Sequence, residues 1–270
     1  MSIPTSTDSQ ALIKKVYRAF FSPGKYEVKS TDQAVLESGN NFRIPFEGGE
    51  LAVTTWGGEH APAVLLMHGW GGSRAQMTGF VDPLLSAGYR VVAYDQPAHG
   101  ESDGKTTNVL EIAPTMDLIL KQAGGFEAII AHSFGTIITS YALVKRNFPA
   151  PSKLVYFGAF NRLMNALPRF QVQAKLPDEI ILALGAMIYE NFGQDMLDEI
   201  INEALVTQIH VPVLMFHDRS DEVTPVEDSR AIANAWTHAR YIETNGLGHR
   251  GALQSTEIHE QVIQFLKETH

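Results

Sequence analysis

Short, unbroken apolar runs alternate with amphipathic stretches along most of this chain. Ala63 to Met67, Tyr89 to Tyr94, the run from Phe126 into His132, Lys153 to Phe157, Val211 to Phe216 and Ala239 to Glu243 read as strands. Runs as apolar as Ala-Val-Leu-Leu-Met and Val-Val-Ala-Tyr suit a sheet covered on both faces. Between them, Gln76 to Ala87, Val109 to Gln122, the segment from Ser133 to about Arg146, and Pro225 to Trp236 read as helices, and Thr256 to Thr269 as a final one. This alternation implies parallel strands joined by crossover helices, an α/β fold.

The rhythm differs in two places. Ser9 to Phe21 sets Leu12, Val16 and Phe20 at helical spacing with Lys14, Lys15 and Arg18 between them, and Ser22-Pro23-Gly24 stops the helix. A packed surface helix is the plain reading; an exposed Phe20-Phe21 face beside the basic residues would instead suit a membrane surface or a second subunit, as in a homodimer. A polar connection follows, then a hairpin of Asn41 to Phe46 and Leu51 to Trp56 around Glu47-Gly48-Gly49. From Asn161 to Gln208 there is no strand signal, and both Pro177 to Ile188 and Met196 to Val206 are amphipathic. The expected organisation is one domain over residues 1–270, with 1–41 an N-terminal extension carrying a helix and 161–208 a helical insertion over the sheet. Phe170, Leu184, Met187 and Phe192 are candidate substrate-binding residues of an acyl cavity there, against the alternative that each is ordinary core.

Composition narrows the function classes. The chain has 270 residues, 44% hydrophobic and 19% charged, enough for a full core in one large domain. Its net charge of -9 argues against nucleic acid or an anionic membrane as the main partner. With no cysteine, thiolate nucleophiles and disulfides are excluded, which is compatible with a reducing compartment. The polar start lacks a secretory pattern, and the longest apolar run, Ile180 to Ile188, is too short for a membrane span, so a cytoplasmic protein is expected.

Candidate chemistry centres on Ala131-His-Ser-Phe-Gly135, where an apolar strand breaks at a serine with small residues two positions away on either side. A nucleophile on a sharp strand-to-helix turn needs that lack of bulk; a serine capping the next helix is the bland alternative. Asp221 and His249 lie downstream, each just after its own strand, in the order Ser, Asp, His. Ser133 would attack a carbonyl, His249 take its proton, and Asp221 orient the imidazole. The acid has a rival three residues upstream, Asp218, which otherwise would bond nearby backbone or Arg219. Backbone N–H groups of Trp70, within His68-Gly-Trp-Gly-Gly72, and of Phe134, at the start of its helix, are the candidate oxyanion donors. His99 and His132 read as local hydrogen-bonding residues of their loops. No metal is expected: His217, Asp218, Asp221 and His249 could ligate one by residue type, but that would leave the serine unexplained and there is no His-Glu-x-x-His helix.

With these motifs in place, the chain from about Phe42 onward resembles the α/β-hydrolase superfamily. The resemblance rests on His68 to Gly72 as oxyanion loop, Asp95-Gln-Pro-Ala-His-Gly-Glu-Ser102 as the loop after the next strand, Ala131 to Gly135 as the elbow, Asp221, and Gly248-His249. It is similar to small bacterial esterase-type serine hydrolases with a helical cap. That likeness implies the α/β-hydrolase fold, with an eight-stranded, mostly parallel sheet, residues 161–208 as the cap, no cofactor, and a small-molecule acyl substrate. Ala131 and Thr136 stand where the family often has glycine, as does Asp218. An ester is the first expected substrate. Thioesters, amides, peptides and carbon–carbon bonds yield to the same machinery, and a ligand-binding protein that retains the fold without turnover is the alternative from another class.

Overall fold

The computed structural model describes residues 7–269. Helices α1 (Thr7–Phe20) and α2 (Ser30–Glu37) precede a hairpin of β1 (Asn40–Phe46) and β2 (Gly49–Trp56). Then follow β3 (Ala63–Met67), α3 (Val81–Ser86), β4 (Arg90–Tyr94), α4 (Val109–Ala123), β5 (Ala128–His132), α5 (Phe134–Lys145) and β6 (Lys153–Phe157). Four helices interrupt the alternation: α6 (Ala166–Ala174), α7 (Asp178–Phe192), α8 (Gln194–Glu199) and α9 (Asn202–Leu205). It resumes with β7 (Val213–Asp218), α10 (Val226–Ala235) and β8 (Ala239–Thr244), and ends with α11 (Gly248–Gly251) and α12 (Thr256–Lys267).

The eight strands form one sheet in the order β1-β2-β4-β3-β5-β6-β7-β8. β1 and β2 are antiparallel, as are β2 and β4, and the strands from β4 to β8 pair in parallel. Every residue of β3, β5 and β6 is buried, as their unbroken apolar composition requires of strands covered on both faces. One face packs under α4, α5 and α10, the other under α3 and α12, and this brings the C-terminal ends of β3, β5, β7 and β8 together. In an open parallel sheet, that end is where loops gather into a binding crevice.

Three stretches depart from the sequence pattern. The polar connection before the hairpin contains α2, which is held by tertiary bonds: Trp56 Nε1 donates to the Val35 carbonyl at 2.9 Å and Thr78 Oγ1 to Asp32 at 3.0 Å. The first half of the expected Gln76 to Ala87 helix is a tighter 3₁₀ segment, Arg74–Phe80, with α3 following. The expected helix from Met196 to Val206 is broken at Ile200 and Ile201, where Ile201 bridges to Arg162 before α9 starts.

Phe20 and Phe21 are 8% and 5% exposed, in keeping with the plain reading of a packed helix rather than with an exposed Phe20-Phe21 face for a membrane or a second copy. Together with Ile13 and Val16 they form an apolar cluster with Leu167 of α6, Ile180, Leu184 and Ile188 of α7, and Leu197 of α8. The N-terminal helix thus clamps the helical segment from outside. No helix among the described residues is long and apolar enough to cross a membrane.

Candidate active site

Ser133 occupies the turn between β5 and α5 with φ 51° and ψ -119°, a left-handed conformation that strains any residue with a Cβ. Its N–H donates to Phe157 O at 2.8 Å, tying the turn to the neighbouring strand. The fit is close on both sides: a Cβ at Gly135 would lie 2.7 Å from the His68 carbonyl, and one at Gly69 would lie 2.8 Å from the Ser133 Cβ. Ala131 is fully buried. Thr136, one of the positions where a glycine is frequent in the resembled family, is accommodated: its hydroxyl donates to Ser133 O at 2.6 Å and accepts from Phe160 N at 3.2 Å and Asn202 Nδ2 at 3.3 Å.

Asp221 and His249 meet across the ends of β7 and β8. His249 Nδ1 lies 2.7 Å from Asp221 Oδ2. The other carboxylate oxygen accepts Val223 N at 2.7 Å and Thr224 N at 2.9 Å. Burial favours the neutral acid, but bonds from His217 and His249 outweigh it and hold the Asp221 carboxyl far below the ordinary carboxylate range. His217 itself is fixed from behind. Ala159 N donates to Ser229 Oγ at 3.0 Å, Ser229 Oγ lies 2.6 Å from His217 Nδ1, and His217 Nε2 lies 3.2 Å from Asp221 Oδ2. With the Ser229 proton toward Nδ1, the Nε2–H points to the carboxylate and the Thr224 carbonyl.

Asp218 is placed differently. Its carboxylate accepts Ser220 N at 2.9 Å, Thr244 Oγ1 at 2.7 Å, Leu247 N at 3.0 Å and Gly248 N at 3.0 Å. These bonds outweigh the effect of burial and hold it too well below the carboxylate range. The rival acid therefore bonds the backbone immediately before His249, while Asp221 bonds the imidazole. Arg219, an expected partner of Asp218, pairs instead with Glu243 at 2.7 Å.

His132 does more than satisfy its own loop. Its ring centroid lies 4.5 Å from that of His249, and its Nε2 is 2.9 Å from the His249 carbonyl. Burial keeps it neutral, with its pKa far below the usual imidazole value, so Nε2–H donates to that carbonyl. His99 bonds the Pro97 carbonyl at 2.9 Å, within its own loop. Sequence spacing singles out neither His132 nor His217 as a neighbour of the base; the adjacency of His132 to Ser133 and of His217 to Asp218 was the available signal.

The loop after β3 folds back at Gly69, whose carbonyl accepts Gly72 N at 3.0 Å while Gly71 takes φ +65°. Trp70 stands in this turn with its ring edge-on to Phe134 at 5.2 Å. The Phe134 N–H opens α5, where first-turn amides have no intrahelical acceptor. Trp70, Ser133, Phe134 and His249 all line one cavity of about 340 Å³, large enough for a small molecule. The Ser133 side chain makes no capping bond to α5, and among the described residues no hydrogen bond joins its hydroxyl to His249; the residue lines this cavity. Phe170 also lines it, as do Phe20 and Phe21. Leu184, Met187 and Phe192, expected in an acyl cavity, pack in the cluster between α1 and the helical segment, because that face of α7 meets α1. Among the described residues no group of three or more histidine, aspartate or glutamate side chains is arranged to hold a metal ion.

Comparison with known proteins bears on this arrangement. A family model described as alpha/beta hydrolase fold matches residues 62–155, and one described as TAP-like protein matches residues 197–270. A "Serine hydrolase-like protein" of Danio rerio is 38% identical over 72 residues, which is 27% of this chain and 22% of that protein's length. An esterase from Rhodococcus sp. superposes with a TM-score of 0.66 at 20% identity, covering 86% of this chain and all of the other. An esterase from Exiguobacterium antarcticum gives 0.66 at 18% identity, covering 85% and 100%.

Proposed function

We propose that this chain, which belongs to the α/β-hydrolase superfamily, is a serine hydrolase that cleaves a carboxylic ester through an acyl-enzyme on Ser133. The observation that carries the reading is the strained Ser133 turn opening into the same cavity as a His249 ring bonded to a buried, ionised Asp221. Ser133 Oγ attacks the ester carbonyl carbon as its proton passes to His249 Nε2. Asp221 keeps the other ring proton on Nδ1 and stabilises the imidazolium that forms. The N–H groups of Trp70 and Phe134 receive the charge developing on the carbonyl oxygen. His249 then protonates the departing alkoxide. Water, deprotonated by the same ring, attacks the acyl-enzyme, and the bond to Ser133 Oγ breaks as His249 returns the proton to that oxygen, releasing the acid. Hydrogen bonds of this kind are often long in a free enzyme and tighten when substrate binds, which agrees with a Ser133 hydroxyl not yet bonded to His249.

Incubation with a fluorophosphonate, followed by peptide mass spectrometry, tests this reading. The adduct is expected on Ser133, and Ser133→Ala is expected to lose at least a thousandfold in turnover of short p-nitrophenyl esters. An unlabelled Ser133, or equal turnover by the variant, would overturn it in favour of a ligand-binding protein on the same fold.

A further inference from the structure

Helix α6 presents Ala166, Arg169, Phe170 and Gln173 to the cavity, a spacing of three, four and seven residues that puts them on one face. The inward face is thus divided, with Phe170 lying edge-on to Phe20 at 5.2 Å and Arg169 and Gln173 forming a polar side. Arg250, the residue after the candidate base, lines the same cavity and lies over the Tyr26 ring at 5.6 Å.

Six of the other arginines pair with carboxylates; Arg18, Arg43 and Arg90 have no such pair among the described residues, but none of these three lines the cavity, and Arg43 and Arg90 donate to backbone carbonyls. Arg74, Arg146, Arg162, Arg219, Arg230 and Arg240 are each within ion-pair distance of an Asp or Glu. Arg169 and Arg250 have no such ion pair among the described residues, although acidic residues outnumber basic ones by 30 to 21. Arg169 donates one N–H to the Val223 carbonyl. A guanidinium has five donors, so the rest of its fork remains for something else. Burial pulls the Arg169 pKa down; Asp221 opposes this only in part, and that carboxylate is already committed to His249, His217 and two backbone amides.

We propose that Arg169, supported by Arg250, is a specificity-determining residue for a substrate that carries a carboxylate some carbons away from the scissile ester, a half-ester of a dicarboxylic acid. A planar guanidinium matches a carboxylate through two parallel hydrogen bonds, and the cavity shields that pairing better than open solvent does. The apolar side, Phe20 and Phe170, then takes the methylene chain between the two carbonyl ends. This inference rests on the serine-hydrolase reading of the same cavity.

The test compares mono-p-nitrophenyl adipate with p-nitrophenyl hexanoate, which differ in a terminal carboxylate against a methyl group. The wild-type protein is expected to favour the adipate tenfold or more in kcat/KM, with the preference shrinking as salt rises. Arg169→Met is expected to lower the adipate-to-hexanoate ratio at least tenfold, Arg250→Met several-fold, and Arg169→Lys less than Arg169→Met, since charge survives without the fork. Calorimetric titration of Ser133→Ala with adipate supplies a readout independent of turnover: binding is expected, and its loss when Arg169→Met is added. Wild-type preference for the hexanoate, or equal losses on both esters in Arg169→Met, would overturn this inference and leave the hydrolase reading standing. Absence of turnover and of Ser133 labelling would overturn the hydrolase reading, and adipate binding to Ser133→Ala would still decide the role of Arg169.

Discussion

Asp221 is gripped by two backbone amides and two imidazoles, whereas Phe20, about 200 residues earlier in the chain, is held at the wall of the cavity by apolar contact with Phe21, Phe170 and the helices of residues 163–199. One region uses directional bonds between groups at the ends of strands. The other uses contacts that any side chain of the right size would make. Directional bonds hold reacting atoms to a few tenths of an ångström, as acyl transfer needs, and apolar packing sets how much space remains beside them. The two regions should therefore fail in different ways when altered.

The largest difference is expected between the two carboxylates. Asp221→Asn removes the charge that orients His249 and favours its imidazolium, and is expected to lower kcat by about ten-thousandfold with little change in KM. Asp218→Asn keeps the imidazole's own partner but weakens the hold on Leu247 and Gly248, so a loss of about ten- to a hundredfold is expected. Steady-state kinetics on the two variants decide between them. An Asp218 variant as damaged as the Asp221 one would return the role of acid to Asp218.

Two carboxylates three residues apart look alike in sequence, and only their depth in the loop separates them: Asp218 ends β7, and Asp221 lies one turn beyond. The strained Ser133 turn and the parallel sheet were legible because each depends on a local pattern, either small residues flanking Ser133 or an unbroken apolar run, and the positions of Asp221 and His249 just after their strands were legible in the same way. The roof of the cavity was not. Leu184, Met187 and Phe192 have the same spacing and character as residues that would line a pocket, and whether they do depends on α1, more than 150 residues earlier, covering them. Helix α2 escaped notice for a related reason, since its eight residues offer only Val35 and Leu36 to the core and are otherwise held by bonds from Trp56 and Thr78.

A smaller effect, confined to the packed region, is expected from Phe20→Ala. Truncation removes an aromatic wall of the cavity and its contact with Phe170, costing about 3 kcal/mol in stability by the usual measure for a buried phenylalanine. Among p-nitrophenyl esters of increasing acyl length, the variant is expected to shift its optimum toward longer chains by a few-fold in kcat/KM while still labelling at Ser133. An unchanged chain-length profile would separate α1 from the cavity and leave it as a clamp on the helical segment alone.

The mildest contrast concerns acid. His68, His99 and His132 are buried around the strand ends, and burial pulls the pKa of His68 down to about 4, that of His99 to about 3, and that of His132 well below its usual value. Residues 161–208 contain no histidine. Each buried ring has its folded pKa below its unfolded one, so as pH falls the unfolded chain takes up protons first. Stability is then complete above about pH 6.5 and declines toward pH 4, at up to about 1.4 kcal/mol per pH unit for each histidine kept neutral. Asp218 and Asp221, whose folded pKa values also lie below the unfolded ones, have the same sign but act at lower pH. Their carboxylates are ionised in both states through that window, and their contribution is lost only at lower pH. Thermal unfolding followed from pH 7 to 4.5 is expected to show the decline, and His68→Asn to flatten it. Hydrogen exchange over the same range should loosen first near β3 and β5 rather than in α6 and α7. Acid that opened α7 first would place the weak point in the apolar clamp, and the directional network would then be the more robust of the two.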